Sequence, residues 1–432
     1  MIQIYKWKET LAEDKKRVIR RAQADLESVR PYVSKILADV RQRGDEAVLE
    51  MTRKFDDPEF TLNRLRVSSS DIEKAYDVIR PEVFEAIREQ IRISRAYAKK
   101  QRSVITDQWE LETVPGVVTG SRLLPLDSVG LYVPAGKAPL PTVSQILTVT
   151  AKAAGVPRIV VCFPPTGDYP EILVAANEAG ADEIYRVGGV QAIGALTFGT
   201  ETIQPVNFIA GPGNSYVQSA KLQVFGRVGI DMLSGPSEAL IMADNTANPK
   251  YLAADILARC EHGPDSAGVV VTNSMEIAQK TVEEVKKQAP KLARQQYIPK
   301  ALELYSAIVV VDSLQLMIDF ANEYSAEHLE IQTRDPQAVF AQIRNAGSVF
   351  LGNYAPVAVG DYASGTNHCL PTGVAPKFAS PVNVGMFMKA SGYQKLTKEG
   401  LQNLRSIVQT ISDVEGLDAH KRSVEVRLLG ED

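Results

Sequence analysis

Apolar positions in the first hundred residues recur every three to four places. Over 24–43, Leu26, Val29, Val33, Ile36, Leu37 and Val40 fall on one helical face, and Gly44 follows as a stop. Ser70-Asp71 opens a second such run through Ile72, Ala75, Tyr76 and Ile79; Arg80-Pro81 closes it and opens a third through Ile93. From Trp109 the period drops to two, and 111–114 and 117–119 alternate as the arms of a hairpin about Pro115-Gly116. Strands are then predicted at 129–133, 158–162, 183–187 and 206–209, with helices at 143–154, 171–179, 190–198 and 214–225. After 228–232 a second series starts with a strand at 238–242. It continues through a helix ending at His262, a strand at 268–272, a helix after Ser274, a strand at 307–311, a helix after Ser313 and a last strand at 348–351. A Gly/Pro-rich tract spans 352–385, too long to be an idle connection, and the chain returns to helix beyond it. This alternation predicts an α/β protein whose parallel sheet carries helices on both faces. The charged helical region before residue 105 reads as scaffold or dimer contact.

Composition narrows the class. A chain of 432 residues exceeds one ordinary domain, so two or more are expected. Hydrophobic residues at 45% and charged ones at 23% suit a soluble globular protein with sizeable cores. A net charge of −4 gives no basic field, so no nucleic acid is expected as partner. No apolar run reaches the roughly 18 residues of a membrane span, and the N-terminal stretch has no signal-peptide apolar core. Cys162, Cys260 and Cys369 stand alone with no CxxC pair. That argues against a disulfide framework or a structural zinc knuckle, and the expected location is cytoplasmic.

Candidate chemistry begins in the loops after strands, because open α/β sheets bind ligands beyond the carboxyl ends of their strands. Four put small residues at a strand–helix junction: Tyr132-Val133-Pro134-Ala135-Gly136-Lys137, Gly188-Gly189-Val190-Gln191, Gly211-Pro212-Gly213-Asn214 and Ser234-Gly235-Pro236-Ser237. There, backbone NH groups and the helix dipole can meet phosphate. A single such loop is ordinarily a tight turn; four in one sheet point to a nucleotide or anion site. None is a Gly-x-Gly-x-x-Gly fingerprint or a Walker loop, so a dinucleotide would bind outside the usual pattern.

The four histidines, His262, His328, His368 and His420, each sit in a polar segment. His262, Asp361 and His420 offer an N, O, N set to a divalent metal, and catalytic zinc takes about three protein ligands plus an open position. The ordinary explanation for His262 is a helix C-terminal cap, where imidazolium suits the dipole. Glu327-His328 is an acid/base candidate whose adjacent side chains face one cleft only from a non-helical bend. Its ordinary explanation is a solvated pair at a helix end. Cys260 lies about 160° round the helix from His262, which takes it out of that site as a nucleophile.

These segments occur in a recognisable order. Gly130-Leu131-Tyr132-Val133-Pro134, Gly188-Gly189-Val190-Gln191-Ala192-Ile193, Gly211-Pro212-Gly213-Asn214, Ile230-Asp231-Met232 and Gly235-Pro236-Ser237-Glu238 come first. Glu261-His262-Gly263-Pro264-Asp265-Ser266, Glu327-His328-Leu329, Gly360-Asp361-Tyr362-Ala363-Ser364-Gly365-Thr366-Asn367-His368 and Glu415-Gly416-Leu417-Asp418-Ala419-His420 follow. Together they closely resemble the histidinol dehydrogenase family over nearly the whole chain, least before about residue 105. The resemblance implies a zinc-dependent, NAD-linked homodimer that oxidises L-histidinol through histidinal to L-histidine. It implies two incomplete Rossmann-like domains with parallel sheets, plus helical N-terminal and C-terminal segments. The expected division is an N-terminal helical arm over 1–24, one α/β domain from 25–126 with 240–380, an NAD-side domain over 127–239, and a helical tail over 381–432 that completes the partner's active site. By the same carry-over Tyr132, Gln191 and Asn214 line the NAD site. Ser237, His262, His328, His368, Asp361, Glu415 and His420 contact substrate or metal, with His262, Asp361 and His420 on zinc. His328 takes the alcohol proton and Glu327 activates water for the aldehyde step.

One residue departs from the family pattern. The family has a zinc-ligating glutamine three residues before the helix histidine, and this chain has Arg259 there. Arginine is permanently protonated and offers a cation no lone pair. Three readings stay open. Arg259 turns aside to pair with Asp255 at i−4; it points inward and binds an anionic substrate group, marking a paralogue that oxidises a different alcohol; or the site has lost zinc. The tract Gly373-Val374-Ala375-Pro376-Lys377-Phe378-Ala379-Ser380 is atypical and speaks for a paralogue. A metabolite-binding homologue without catalysis is the alternative of another class.

Overall fold

Two parallel sheets and a small antiparallel one organise the chain. The computed structural model describes residues 2–22, 25–135, 139–233 and 235–429. The predicted positions Ala24, Gly136, Lys137 and Ser234 lie outside the described residues. The larger sheet has six parallel strands in the order Gln3–Lys6, Ala307–Val310, Ala267–Thr272, Glu238–Ala243, Ala326–Gln332 and Ala346–Leu351. The smaller parallel sheet runs Glu183–Arg186, Ile159–Phe163, Val129–Tyr132, Phe208–Ala210 and Gly229–Ile230. In it the chain steps from the central Val129–Tyr132 strand to one side and returns to the other, the switch point at which α/β sheets bind ligands. Gln108–Val114, Val117–Pro125 and Met388–Leu396 form the third, antiparallel sheet.

The α/β class and the strand–helix alternation are as the pattern predicts, and three strands escape it. Gln3–Lys6 lies in the stretch expected to be a helical arm, where only Ala12–Arg20 is helical; it pairs with Ala307–Val310. Met388–Leu396 lies in the stretch expected to be a helical tail and pairs along its whole length with Val117–Pro125. Ala326–Gln332 is buried from end to end although it carries Glu327, His328, Glu330 and Gln332. Central parallel strands ordinarily read as apolar runs, so this polar one has no signature in the pattern.

The first hundred residues also pack elsewhere than expected. The sequence reading joins 25–126 to 240–380. Instead Leu26–Arg43 lies on the helices Gly189–Phe198 and Ser215–Val224, with Val33, Ile36, Leu37 and Val40 in one core with Ile193 and Val217. Pro81–Ser103 lies on Pro141–Ala154 and Pro170–Ala179. Fully burying each such aliphatic side chain contributes roughly 1.5–3 kcal/mol. The helical faces were legible, but the surface they cover is on the five-stranded sheet's side.

Candidate functional site

A deep cleft runs between the carboxyl ends of the five-stranded sheet and the amino ends of the six-stranded one. The chain passes from the one sheet to the other after the Gly229–Ile230 strand and enters the second at the Glu238–Ala243 strand. The cleft encloses about 1810 Å³, beyond the roughly 300–1,000 Å³ of an ordinary small-molecule pocket, so a dinucleotide and a second molecule fit together. Tyr132, Gly189, Gln191, Gly213 and Asn214 line one side, and Ser237, His262 and Tyr362 line the other.

On the first side the turns are held open by buried polar groups. The Gly189 NH donates to the Tyr132 hydroxyl at 3.2 Å, and burial pushes the Tyr132 phenol up to about 12, so it stays protonated. The N-cap residue Gly188 has no side chain to cap the helix Gly189–Phe198, so past the Gly189 NH its amino end is open to an anion. Asn214 spends its side chain locally, its Oδ1 accepting from Tyr216 N and Val217 N at 3.1 and 3.2 Å. Gly211, at φ +130°, leaves 2.1 Å between a hypothetical Cβ and the Tyr132 carbonyl oxygen, so no other residue fits. Below it, buried Lys221 pairs with Asp231 and donates to Gly211 O at 3.0 Å, while Asp231 Oδ2 accepts from Gly211 N at 2.7 Å.

On the second side a polar cluster lies just behind Ser237. Glu327 Oε2 accepts from Ser237 Oγ at 3.1 Å and from Glu238 N at 2.9 Å, and lies 3.3 Å from His328 Nδ1. His328 Nδ1 is also 3.0 Å from the Glu238 carbonyl; its Nε2 has no hydrogen bond and lies 3.6 Å from Asp361 Oδ1. Burial and the Arg259 charge push the His328 pKa down, but the Glu327 and Asp361 carboxylates prevail and raise it to about 9. Against burial, His328 and Arg259 hold both carboxylates below their usual range. Thus Glu327 and His328 share one cluster from the start of a strand, with neither a non-helical bend nor a helix end involved.

Arg259 points inward. Its Nη1 donates to Ser237 Oγ at 2.7 Å, and Nη2 lies 3.5 Å from Asp361 Oδ2. The turn toward Asp255 is overturned: Asp255 accepts from Gln332 Nε2 at 2.8 Å, and the same amide donates to Glu330 Oε2. With Asp255 so engaged, Ser237 and Asp361 are the acceptors that Arg259 takes. Burial, then Arg259, push the His262 pKa down to about 4. Its imidazole is therefore neutral, which removes the dipole-capping explanation. The Cys260 thiol faces Ser306 at 3.4 Å, and burial pushes it up to about 11, in keeping with its exclusion as nucleophile.

Within one chain the described residues do not fit a divalent cation. Among the described residues no group of three or more His, Cys, Asp or Glu side chains is placed to hold one. His420 and Glu415 stand exposed on the C-terminal helices Asp418–Leu428 and Lys398–Glu415, off the cleft, so the expected His262–Asp361–His420 set is not assembled within one chain. Asp361 already holds a guanidinium. A divalent ion about 4 Å from that charge would be repelled by roughly 8 kcal/mol at an effective dielectric of about 20.

Of the other predicted residues, His368 sits near Asp361 with Nδ1 unbonded, and burial lowers its pKa. Sequence reasoning missed three contributors. Asp56 lines the cleft, accepts from Gln191 Nε2 at 3.4 Å, and is pushed up to about 6 by burial. Arg21 ion-pairs with Glu238 and stacks 3.8 Å over the Tyr324 ring, and Glu238 Oε1 in turn accepts from Glu327 N at 3.1 Å. Glu330 Oε1 accepts from Val357 N at 3.2 Å, fixing the helix that carries Asp361. None of these has a local signature, because each partner is remote in sequence.

A model of the histidinol dehydrogenase family matches residues 19–428. The chain is similar to the histidinol dehydrogenase of Methanothermobacter thermautotrophicus, 44% identical over 414 residues, covering 95% of this chain and 96% of the relative. It is 43% identical over 428 residues to that of Methanocaldococcus jannaschii, with 98% of each covered. The crystal structure of histidinol dehydrogenase from Elizabethkingia anophelis superposes with a TM-score of 0.92 at 38% identity, over 99% of this chain and 98% of that one.

Proposed function

The chain belongs to the histidinol dehydrogenase family, and on that premise we propose that it oxidises L-histidinol through histidinal to L-histidine, reducing two NAD+ per substrate, in histidine biosynthesis. The observation that most supports this is one cleft lined by glycine-rich strand ends, with a buried carboxylate–imidazole–carboxylate chain directly behind its Ser237 wall.

Tyr132, Gln191 and Asn214 would hold NAD, which when bound supplies the hydride acceptor. In its neutral form, which prevails above its pKa of about 9, His328 takes the hydroxyl proton at Nε2, the nitrogen without a hydrogen bond while Nδ1–H donates to the Glu238 carbonyl. Glu327 takes a proton from the water that adds to the aldehyde, giving the hydrate. The hydrate loses a second hydride and a hydroxyl proton, and the resulting acid ionises. The sum is alcohol plus water plus two NAD+ giving carboxylate, two NADH and three protons. Ser237 and His262 orient the substrate from the cleft wall. Zinc, the other cofactor the family resemblance implies, does not fit the donor set around Arg259, and no step here goes through a metal.

A homodimer is part of this reading, with the partner subunit's Glu415 and His420 closing the cleft. It is supported by Ile407, Ile411 and Val414, which line one face of the helix Lys398–Glu415 at 61, 52 and 80% exposure, a stripe that a lone chain leaves in water. A cytoplasmic location is supported by three free, buried cysteines. Among the described residues no helix is long and apolar enough to cross a membrane.

The test is NAD reduction by the purified chain with L-histidinol, with NADH counted against histidinol consumed. Two NADH per histidinol is expected, and no reduction sinks the reading. Oxidation of an anionic alcohol in preference to histidinol would favour the paralogue.

A further inference from the structure

Behind Ser237, three elements converge on one guanidinium. The helix Pro249–Cys260 supplies Arg259, the segment entering the Glu238–Ala243 strand supplies Ser237, and the helix Val357–Tyr362 supplies Asp361. The Arg259 side chain is 4% exposed and Asp361 15%. A metal ion bridging the same elements would do the same mechanical work: fix Asp361 against the end of the helix Pro249–Cys260.

We propose that Arg259 takes the place of a divalent metal in this protein: its guanidinium ties Asp361 to Ser237, and the cleft works without a bound transition metal. A zinc–carboxylate bond of roughly 2.0–2.2 Å would bring the ion against the guanidinium already on Asp361. Arg259 cannot yield by losing its proton. It cannot yield by rotating to its i−4 neighbour, because Asp255 is engaged by Gln332 and lies beside the carboxyl of Glu330. Moved anywhere else within the core, it would leave a buried charge unpaired. Arg259 is thus a positioning residue for Asp361. This inference rests on the dehydrogenase reading only for its consequence on turnover.

The test reads metal content first. The full chain is incubated with excess zinc chloride, desalted by gel filtration and assayed by mass spectrometry, beside R259Q and R259K. The native chain and R259K are expected to retain under about 0.1 zinc per protomer, and R259Q about one. Zinc should raise the Tm of R259Q and leave the native Tm where it is. Native NAD reduction should be unchanged by a chelator that removes zinc. A native chain that keeps about one zinc per protomer overturns the proposal, and that measurement needs no variant to fold. A folded R259Q that stays zinc-free overturns the assignment to Arg259. A zinc-free native chain that leaves histidinol untouched sinks the dehydrogenase reading alone.

Discussion

Glu327 and His328 are held as a pair by the Glu238 backbone that runs beside them: its carbonyl lies on His328 Nδ1 and its NH donates to Glu327. That fixes which nitrogen of the imidazole is free. Glu327→Gln keeps the shape and removes the base, so kcat for full oxidation should fall about 10²- to 10⁴-fold. Single-turnover traces should keep one NADH per site and lose the second; equal loss of both would remove Glu327 from the aldehyde step. Asp56 yields a prediction about pH. Burial raises its pKa from 3.8 to about 6, so the folded chain holds this proton more tightly than the unfolded one. Its contribution to stability is full below about pH 4 and is lost as pH rises through about 6. Asp56→Asn should therefore resist urea better than the native chain at about pH 8, by about 1–3 kcal/mol, and the gain should shrink toward pH 5. A pH-independent gain would mean that Asp56 is not the titrating group.

At the scale of elements, the site depends on two buried ion pairs that pin backbone to backbone. Arg21, just beyond the helix Ala12–Arg20, neutralises Glu238 and donates to Tyr324 O at 2.8 Å, tying the N-terminal arm to the strand that carries Glu327. Removing it in Arg21→Met leaves Glu238 buried and unpaired, with an expected loss of about 3–5 kcal/mol in urea unfolding. A loss within experimental error would mean that Glu238 takes up a proton freely. Lys221 and Asp231 do the same for the turn at Gly211. Gly211→Ala should push that turn off Tyr132 and raise the KM for NAD about tenfold or more, with the KM for histidinol little changed. Equal changes in both would place the turn outside the NAD side of the cleft.

At the scale of the molecule, the exposed C-terminal helices predict shared sites. Glu327→Gln and His420→Ala chains, each deficient alone in oxidation through to the acid, should recover about a quarter of native full-oxidation activity when co-assembled, because half the sites in a mixed dimer are whole. No recovery would mean that each chain completes its own cleft. The sequence by itself determined the α/β class, the parallel strand–helix alternation and the order of the site segments, because hydrophobic period and turn chemistry are local properties. The family resemblance that the sequence carries also pointed to Tyr132, Gln191, Asn214, Ser237, His262, His328 and Asp361, all of which the fold brings to the cleft or just behind it. Tertiary structure alone decided that Ala326–Gln332 is a central strand, that residues 26–103 cover the smaller sheet, and that Arg21, Asp56 and Glu330 support the site. It alone decided that Arg259 faces Asp361 and Ser237 and not Asp255. A buried charge goes to whichever acceptors the fold leaves within reach, and those lie 22 and 102 residues away along the chain.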